Sequence, residues 1–218
     1  MQPLLKRAAV TVIAAAGIAG LNAWSAVETR AQAPVDTAPA SGPLRGTWTL
    51  DPLHSNVSFA IKHLGLAMIR GRFDEFAGTI VAEGDSPEKA SVQVTIKTAS
   101  IDTDIAARDE HLRSADFFDV EKFPEITFRS TRVEKARDGF VAHGPLTIKG
   151  ISREVALPFR VAGPITVPQA GTRIGVETRT RLNRQEFGLT YHQVFDGVLA
   201  LANDVDVAIS LEAVPEKK

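Results

Sequence analysis

Five histidines, His54, His63, His111, His143 and His192, are the first candidates for chemistry. No two have the His-x-x-x-His spacing that sets a pair of imidazoles on one helix face, and His-Glu-x-x-His is absent. His54 and His63 straddle one candidate strand at an odd separation, which turns them to opposite faces and disfavours a zinc site built on the pair. Asp102, Asp104, Asp109 and His111 form the densest polar cluster. On a helix surface such charges pair with one another and with water, so a solvated face is the default reading and a metal centre the exception. Ser55 follows His54, but neighbours in a strand point apart, and Gly-x-Ser-x-Gly does not occur. Asp196 and Asp204 supply carboxylates that no spacing pairs.

The chain has no cysteine. That removes disulfides, thiolate catalysis, cysteine-based zinc sites and a lipid-modified N-terminal cysteine together. Neither Gly-x-Gly-x-x-Gly nor a P-loop is present. The sequence therefore points away from an enzyme, and it implies no cofactor and no metal. Lys and Arg number 25 against 26 Asp and Glu, a net charge of −1, so the broad basic footprint of a nucleic-acid partner is missing. With 44% hydrophobic and 23% charged residues the composition is that of a globular protein. The 218 residues suit one domain or two small ones. Phe dominates the aromatics, 11 against 2 Trp and 1 Tyr, which allows an interior with no polar atoms to satisfy.

Residues 1–25 read as a secretory signal peptide: Lys6 and Arg7, then the uncharged run Ala8–Leu21, then small residues. The run is short for a membrane span. Cleavage can follow Ser25 or Ala33, with Pro34 arguing against the second. Residues 26–45, rich in Ala, Pro, Thr and Ser, read as a flexible linker. The folded part is expected at 46–214, with 215–218 a charged tail. The expected product is soluble and exported, without a stable membrane anchor.

The elements that must position any site alternate with period two. Val57, Phe59 and Ile61 form one such face, Val92, Val94 and Ile96 a second, and Val155, Leu157, Phe159 and Val161 a third. Ile174, Val176, Thr178, Thr180 and Leu182 continue the pattern, as do Val205, Val207, Ile209 and Leu211. Further strands are expected at 67–73, 76–82, 126–134 and 140–149. Apolar parity flips between Phe128 and Val133, which calls for a bulge or sharp bend. Asp138-Gly139 is a hairpin signal, and Gly84-Asp85-Ser86-Pro87 and Gly163-Pro164 are expected breaks. The stretch from Asp104, within 104–118, reads as one short helix, centred on 104–116 and capped by Asp102 or Thr103. The fold class is all-β, an antiparallel barrel or sandwich of about eight strands.

Four blocks then carry a resemblance. They are Asp51-Pro-Leu-His54-Ser55 continuing to Lys62-His63-Leu64-Gly65; Arg108-Asp109-Glu-His111-Leu112-Arg113-Ser114-Ala-Asp116-Phe117-Phe118; Phe123-Pro124-Glu-Ile126-Thr-Phe128; and Gly144-Pro-Leu146-Thr147-Ile148-Lys-Gly150. With Asn183-Arg184 and the run from Asp204 to Ile209, the chain resembles the YceI-like family of exported polyisoprenoid-binding proteins over about 47–213. The resemblance implies a lipocalin-like barrel with an elongated apolar cavity. It also implies a partner that is an isoprenoid or other long-chain lipid, and a periplasmic or secreted location. A homodimer is compatible with it. On that reading Phe59, Ile61, Phe73, Val94, Ile96, Phe128, Ile148 and Val176 are the expected wall, and His63, Arg108, His111 and Arg113 the candidates for a polar head group. A quinone-linked or hydrolytic periplasmic enzyme and a ligand-free interaction module are the competing classes.

Overall fold

A computed structural model describes residues 42–216. The expected signal peptide at 1–25, linker residues 26–41 and tail residues 217–218 lie outside that range.

The period-two runs become eight strands, four of them broken in the middle. β1 comprises Gly46–Leu50 and Asn56–His63, and β2 comprises Ala67–Phe73 and Phe76–Ala82. β3 comprises Ala90–Lys97 and Ile101–Asp102, and β4 comprises Glu125–Arg129 and Arg132–Ala136. β5 (Gly139–Ile148), β6 (Ile151–Val167), β7 (Gly171–Asn183) and β8 (Leu201–Pro215) run unbroken. Each strand pairs antiparallel with the next. β8 returns to β1, with Val207 opposite Phe59 and Val214 opposite Thr49. The meander closes into an eight-stranded antiparallel barrel, and closure removes the sheet edges that would otherwise template aggregation.

The breaks have local causes. Asp51 opens a 3-10 turn at Pro52–His54 by accepting the Leu53 N–H at 3.0 Å. Ser55 Oγ donates to the Asp51 carbonyl at 2.6 Å and accepts the Glu212 N–H at 2.9 Å, which ties the kink in β1 to β8. The hydroxyl weighed as a nucleophile is therefore spent on the backbone. In β4 the break falls at Ser130 and Thr131, where the parity flip called for it. Ser130 Oγ accepts the Val92 N–H at 2.9 Å. Gly163-Pro164 is not a break: β6 runs through it, and the irregularity is a register shift between Ala162 and Ile165.

The helix is shorter than expected, Ala106–Arg113, and neither expected residue caps it. Ile105 occupies the capping position. Asp102 is engaged with Arg72 and the Asp104 N–H, and Thr103 gives both its amide and its hydroxyl to the buried Asp109. Beyond Arg113 the chain turns back: Phe118 N–H reaches the Leu112 carbonyl and Asp119 N–H reaches that of Ser114.

Candidate ligand cavity

The alternating faces turn inward around a cavity of about 770 Å³. That is within the range of small-molecule sites, roughly 300–1,000 Å³. The barrel has two unlike ends. At one end Trp48 is 4% exposed and donates from Nε1 to the Leu44 carbonyl at 2.7 Å, with Leu44, Ala82 and Pro87 beside it in the lining. At the other end lie the β1–β2 turn, the helix and the segment 184–200 between β7 and β8.

The wall is apolar and incompletely packed. Phe59, Ile61, Phe73, Val94, Ile96, Phe128, Ile148 and Val176 all line the one cavity. Phe73, Ile96 and Phe128 are buried, while Phe59, Ile61, Val94, Ile148 and Val176 are only half-buried although they face inward. Inward side chains that still meet solvent-sized space surround a lumen, not a packed core, whose interior would hold few voids larger than water. The break at Ser130 brings Phe128 and Val133 onto the same inner face.

Among the described residues, no Asp, Glu, Lys or Cys lines the cavity. His63, Arg108, His111 and Arg184 do, and all four sit at the end away from Trp48. Arg108 donates from Nε to Thr103 Oγ1 at 2.7 Å and from Nη2 to the Thr103 carbonyl. His111 Nε2 is 3.0 Å from Asp116 Oδ2. Arg113, grouped with these by sequence, stands outside the lining: it donates to the carbonyls of Ala99 and Ile101, each at 2.7 Å. It ties the helix to the end of β3.

Three side chains that sequence reasoning missed shape this end. Tyr191 packs its ring on Phe117, 4.6 Å between centroids, and His111 meets both rings edge-on at 5.3 and 5.1 Å. The cluster joins the helix to the 184–200 segment. Arg184 is 5% exposed and donates to the carbonyls of Ala202, Leu189 and Leu201 and to Asn203 Oδ1. Burial holds its guanidinium below the ordinary arginine pKa. For Tyr191 the signal that could have found it is the segment Leu189–Ala200, rich in apolar residues, without a period, and holding the sole tyrosine.

The candidate metal groups resolve differently. Asp102 and Asp104 bind Arg72, Asp109 binds Thr103, and His111 binds Asp116. Asp51, His54 and Glu212 do converge, on the outer side of the barrel. Arg173 bridges the two carboxylates, 2.8 Å from Asp51, so a cation already holds that position. Arg173 first, then His54, keeps the Asp51 carboxyl down at about 2.

Comparison with known proteins agrees with this architecture. The family model of the YceI-like domain matches residues 48–213. A protein of Serratia proteamaculans called UPF0312 protein is 37% identical over 164 residues, 75% of this chain and 83% of that one. The crystal structure of the Campylobacter jejuni YceI protein superposes with a TM-score of 0.62 at 30% identity, covering 72% of this chain and 91% of that one. A polyisoprenoid-binding domain from Saccharophagus degradans, implicated in plant cell wall breakdown, shares the fold with a TM-score of 0.57 at 17% identity, covering 78% and 98%.

Proposed function

The chain belongs to the YceI-like family, and we propose that it is an exported carrier or store that holds one long apolar chain, polyisoprenoid or similar, inside its barrel. One observation carries the reading: an apolar cavity of about 770 Å³ with its basic groups gathered at one end. Each CH2 taken from water gains about 0.8 kcal/mol, so ten such groups gain about 8 kcal/mol before the costs of ordering. A tail lying among Phe59, Val94, Phe128, Ile148 and Val176 needs no polar contact to be held. An electron-rich or anionic head group belongs at the other end, beside His63, Arg108 and His111. The description of the Saccharophagus degradans relative as polyisoprenoid-binding supports the ligand class. The signal-like N-terminus supports the periplasm or the cell exterior as its place of work.

The largely apolar lining supports binding of an apolar chain as the reading. Native mass spectrometry of protein purified from its own source tests the reading. A discrete lipid-sized mass increment, unchanged on standing, is expected. Protein that carries no adduct and takes up no dansyl-labelled geranylgeraniol overturns it, and a bound lipid that turns over with time makes the protein an enzyme.

A further inference from the structure

We propose that two adjoining turns beside the cavity mouth, 64–68 and 194–198, form a foot that rests this barrel on an anionic lipid bilayer. The inference takes its purpose from the lipid-holding reading above but stands on separate residues.

The β1–β2 turn and the small hairpin of Val194–Phe195 and Val198–Leu199 lie against each other. Leu64 N–H donates to the Ala200 carbonyl at 2.9 Å, and a Cβ at Gly65 would stand 3.9 Å from Val198 Cγ1. Between them the turns expose five large apolar side chains: Leu66, Met68, Val194, Phe195 and Val198. Leu66 is 79% exposed and Phe195 56%. Single exposed apolar residues need no explanation, but a group of them on neighbouring tips marks a contact surface.

Charge selects the partner. In the β1–β2 ladder Lys62 stands opposite Met68 and Ala60 opposite Arg70, so Lys62 and Arg70 flank Met68 on the outward face. Neither cation has a carboxylate partner among the described residues. Asp196 is the one acid on the two turns. Apolar tips with unpaired cations a step behind them match the acyl boundary and the phosphate layer of an anionic membrane. Continuity with the cavity points the same way. Phe195 lines the cavity and is exposed as well, as are His111 and Gln193. A tail leaving a bilayer at this face would pass from lipid to Phe195 to the lumen without crossing water, whereas a protein seated there would stop the mouth.

Flotation of the purified protein on vesicles of phosphatidylglycerol and of phosphatidylcholine tests this. Leu66→Asp and Val198→Asp, neither of which lines the cavity, are expected to lower flotation on phosphatidylglycerol at least tenfold. Uptake of dansyl-labelled geranylgeraniol from ethanol should stay at the wild-type level in both. Lys62→Glu with Arg70→Glu should lower flotation on phosphatidylglycerol alone, and it decides the matter if an Asp variant fails to fold. Wild-type protein that floats on neither vesicle, or variants that float like wild type, overturn the docking surface. So does a Leu66→Asp protein that goes from dimer to monomer in light scattering with flotation unchanged, which assigns the face to a second copy. Flotation as expected with no probe uptake by any form removes the lipid-holding reading and leaves the docking surface standing.

Discussion

Gly71 faces Phe59 across the β1–β2 ladder with no room for a side chain of its own. A Cβ at Gly71 would run into the Phe59 ring and stand 2.8 Å from Thr103 Cγ2. Both residues face inward, so the missing Cβ is what lets the Phe59 ring lie against the wall and leaves the lumen open beside it.

Gly71→Ala is therefore expected to push the Phe59 ring into the cavity. Binding of dansyl-labelled geranylgeraniol should weaken about tenfold, or ~1.4 kcal/mol. Overpacking should cost about 1–3 kcal/mol of stability. With Phe59→Ala in the same chain the clash is gone, so Gly71→Ala should cost little beyond what Phe59→Ala costs by itself. A double-mutant cycle in urea reads the coupling directly, and two effects that simply add would show that the ring and the glycine are independent.

The lumen reading gives a second contrast. In a packed core Phe→Ala costs about 3–5 kcal/mol. Phe59 already meets open space on one side, so Phe59→Ala should cost less than about 3 kcal/mol in delipidated protein, and less than Ile101→Ala, whose side chain is fully buried. Ile148→Trp should fill the lumen, leave apo stability near wild type and abolish probe binding. An Ile148→Trp protein that unfolds in the apo form, with a residual folded fraction that binds normally, places Ile148 in solid core.

The wall was legible because alternation assigns sides: Val92, Val94 and Ile96 can share a face in only one way. The bend in β4 was legible for the same reason, since Phe128 and Val133 could not both face inward without one. Closure came only with the family resemblance and not from alternation, because the pairing of Phe59 with Val207 joins segments that no local pattern relates. Arg113 was misplaced because a basic residue in the last turn of a helix reads equally as a head-group ligand and as a tie to carbonyls. Tyr191 and Arg184 were missed because their segment has no period, and Phe117 because the expected helix was carried past Arg113, where the chain in fact turns back. Contacts distant in the chain help to set their positions, such as the Arg184 bonds to the carbonyls of Leu201 and Ala202.

Arg184 should be the pin of the 184–200 segment. Arg184→Met keeps the apolar stem but leaves the carbonyls of Leu189, Leu201 and Ala202 without its donors, and the expected loss is about 3 kcal/mol. Amide hydrogen exchange across 189–202 should rise well above that of β5 and β6. Arg184→Lys should not rescue it, since one ammonium cannot reproduce the planar fork. Exchange in that segment equal to wild type in Arg184→Met would show that Tyr191 and Phe117 hold it without the arginine.

Acid stability should trace to Asp51. Its carboxylate accepts from Arg173 at 2.8 Å, His54 Nδ1 at 2.9 Å and the Leu53 N–H at 3.0 Å, which together hold its pKa at about 2 against an ordinary 3.8. A carboxylate whose folded pKa lies below its unfolded value adds stability that is complete above the unfolded pKa. That contribution disappears as pH falls toward the folded value, so the window here runs from about 4 down to about 2. The side chain is 14% exposed, and a shift of this size corresponds to about 2 kcal/mol. Asp51→Asn should therefore be less stable than wild type by about 2 kcal/mol at neutral pH and should lose less stability than wild type between pH 4 and 2. The two curves should converge near pH 2. Urea midpoints taken across that range settle the point: parallel curves for the two proteins would mean that Arg173 is held by Glu212 alone and that the kink in β1 does not depend on the Asp51 charge.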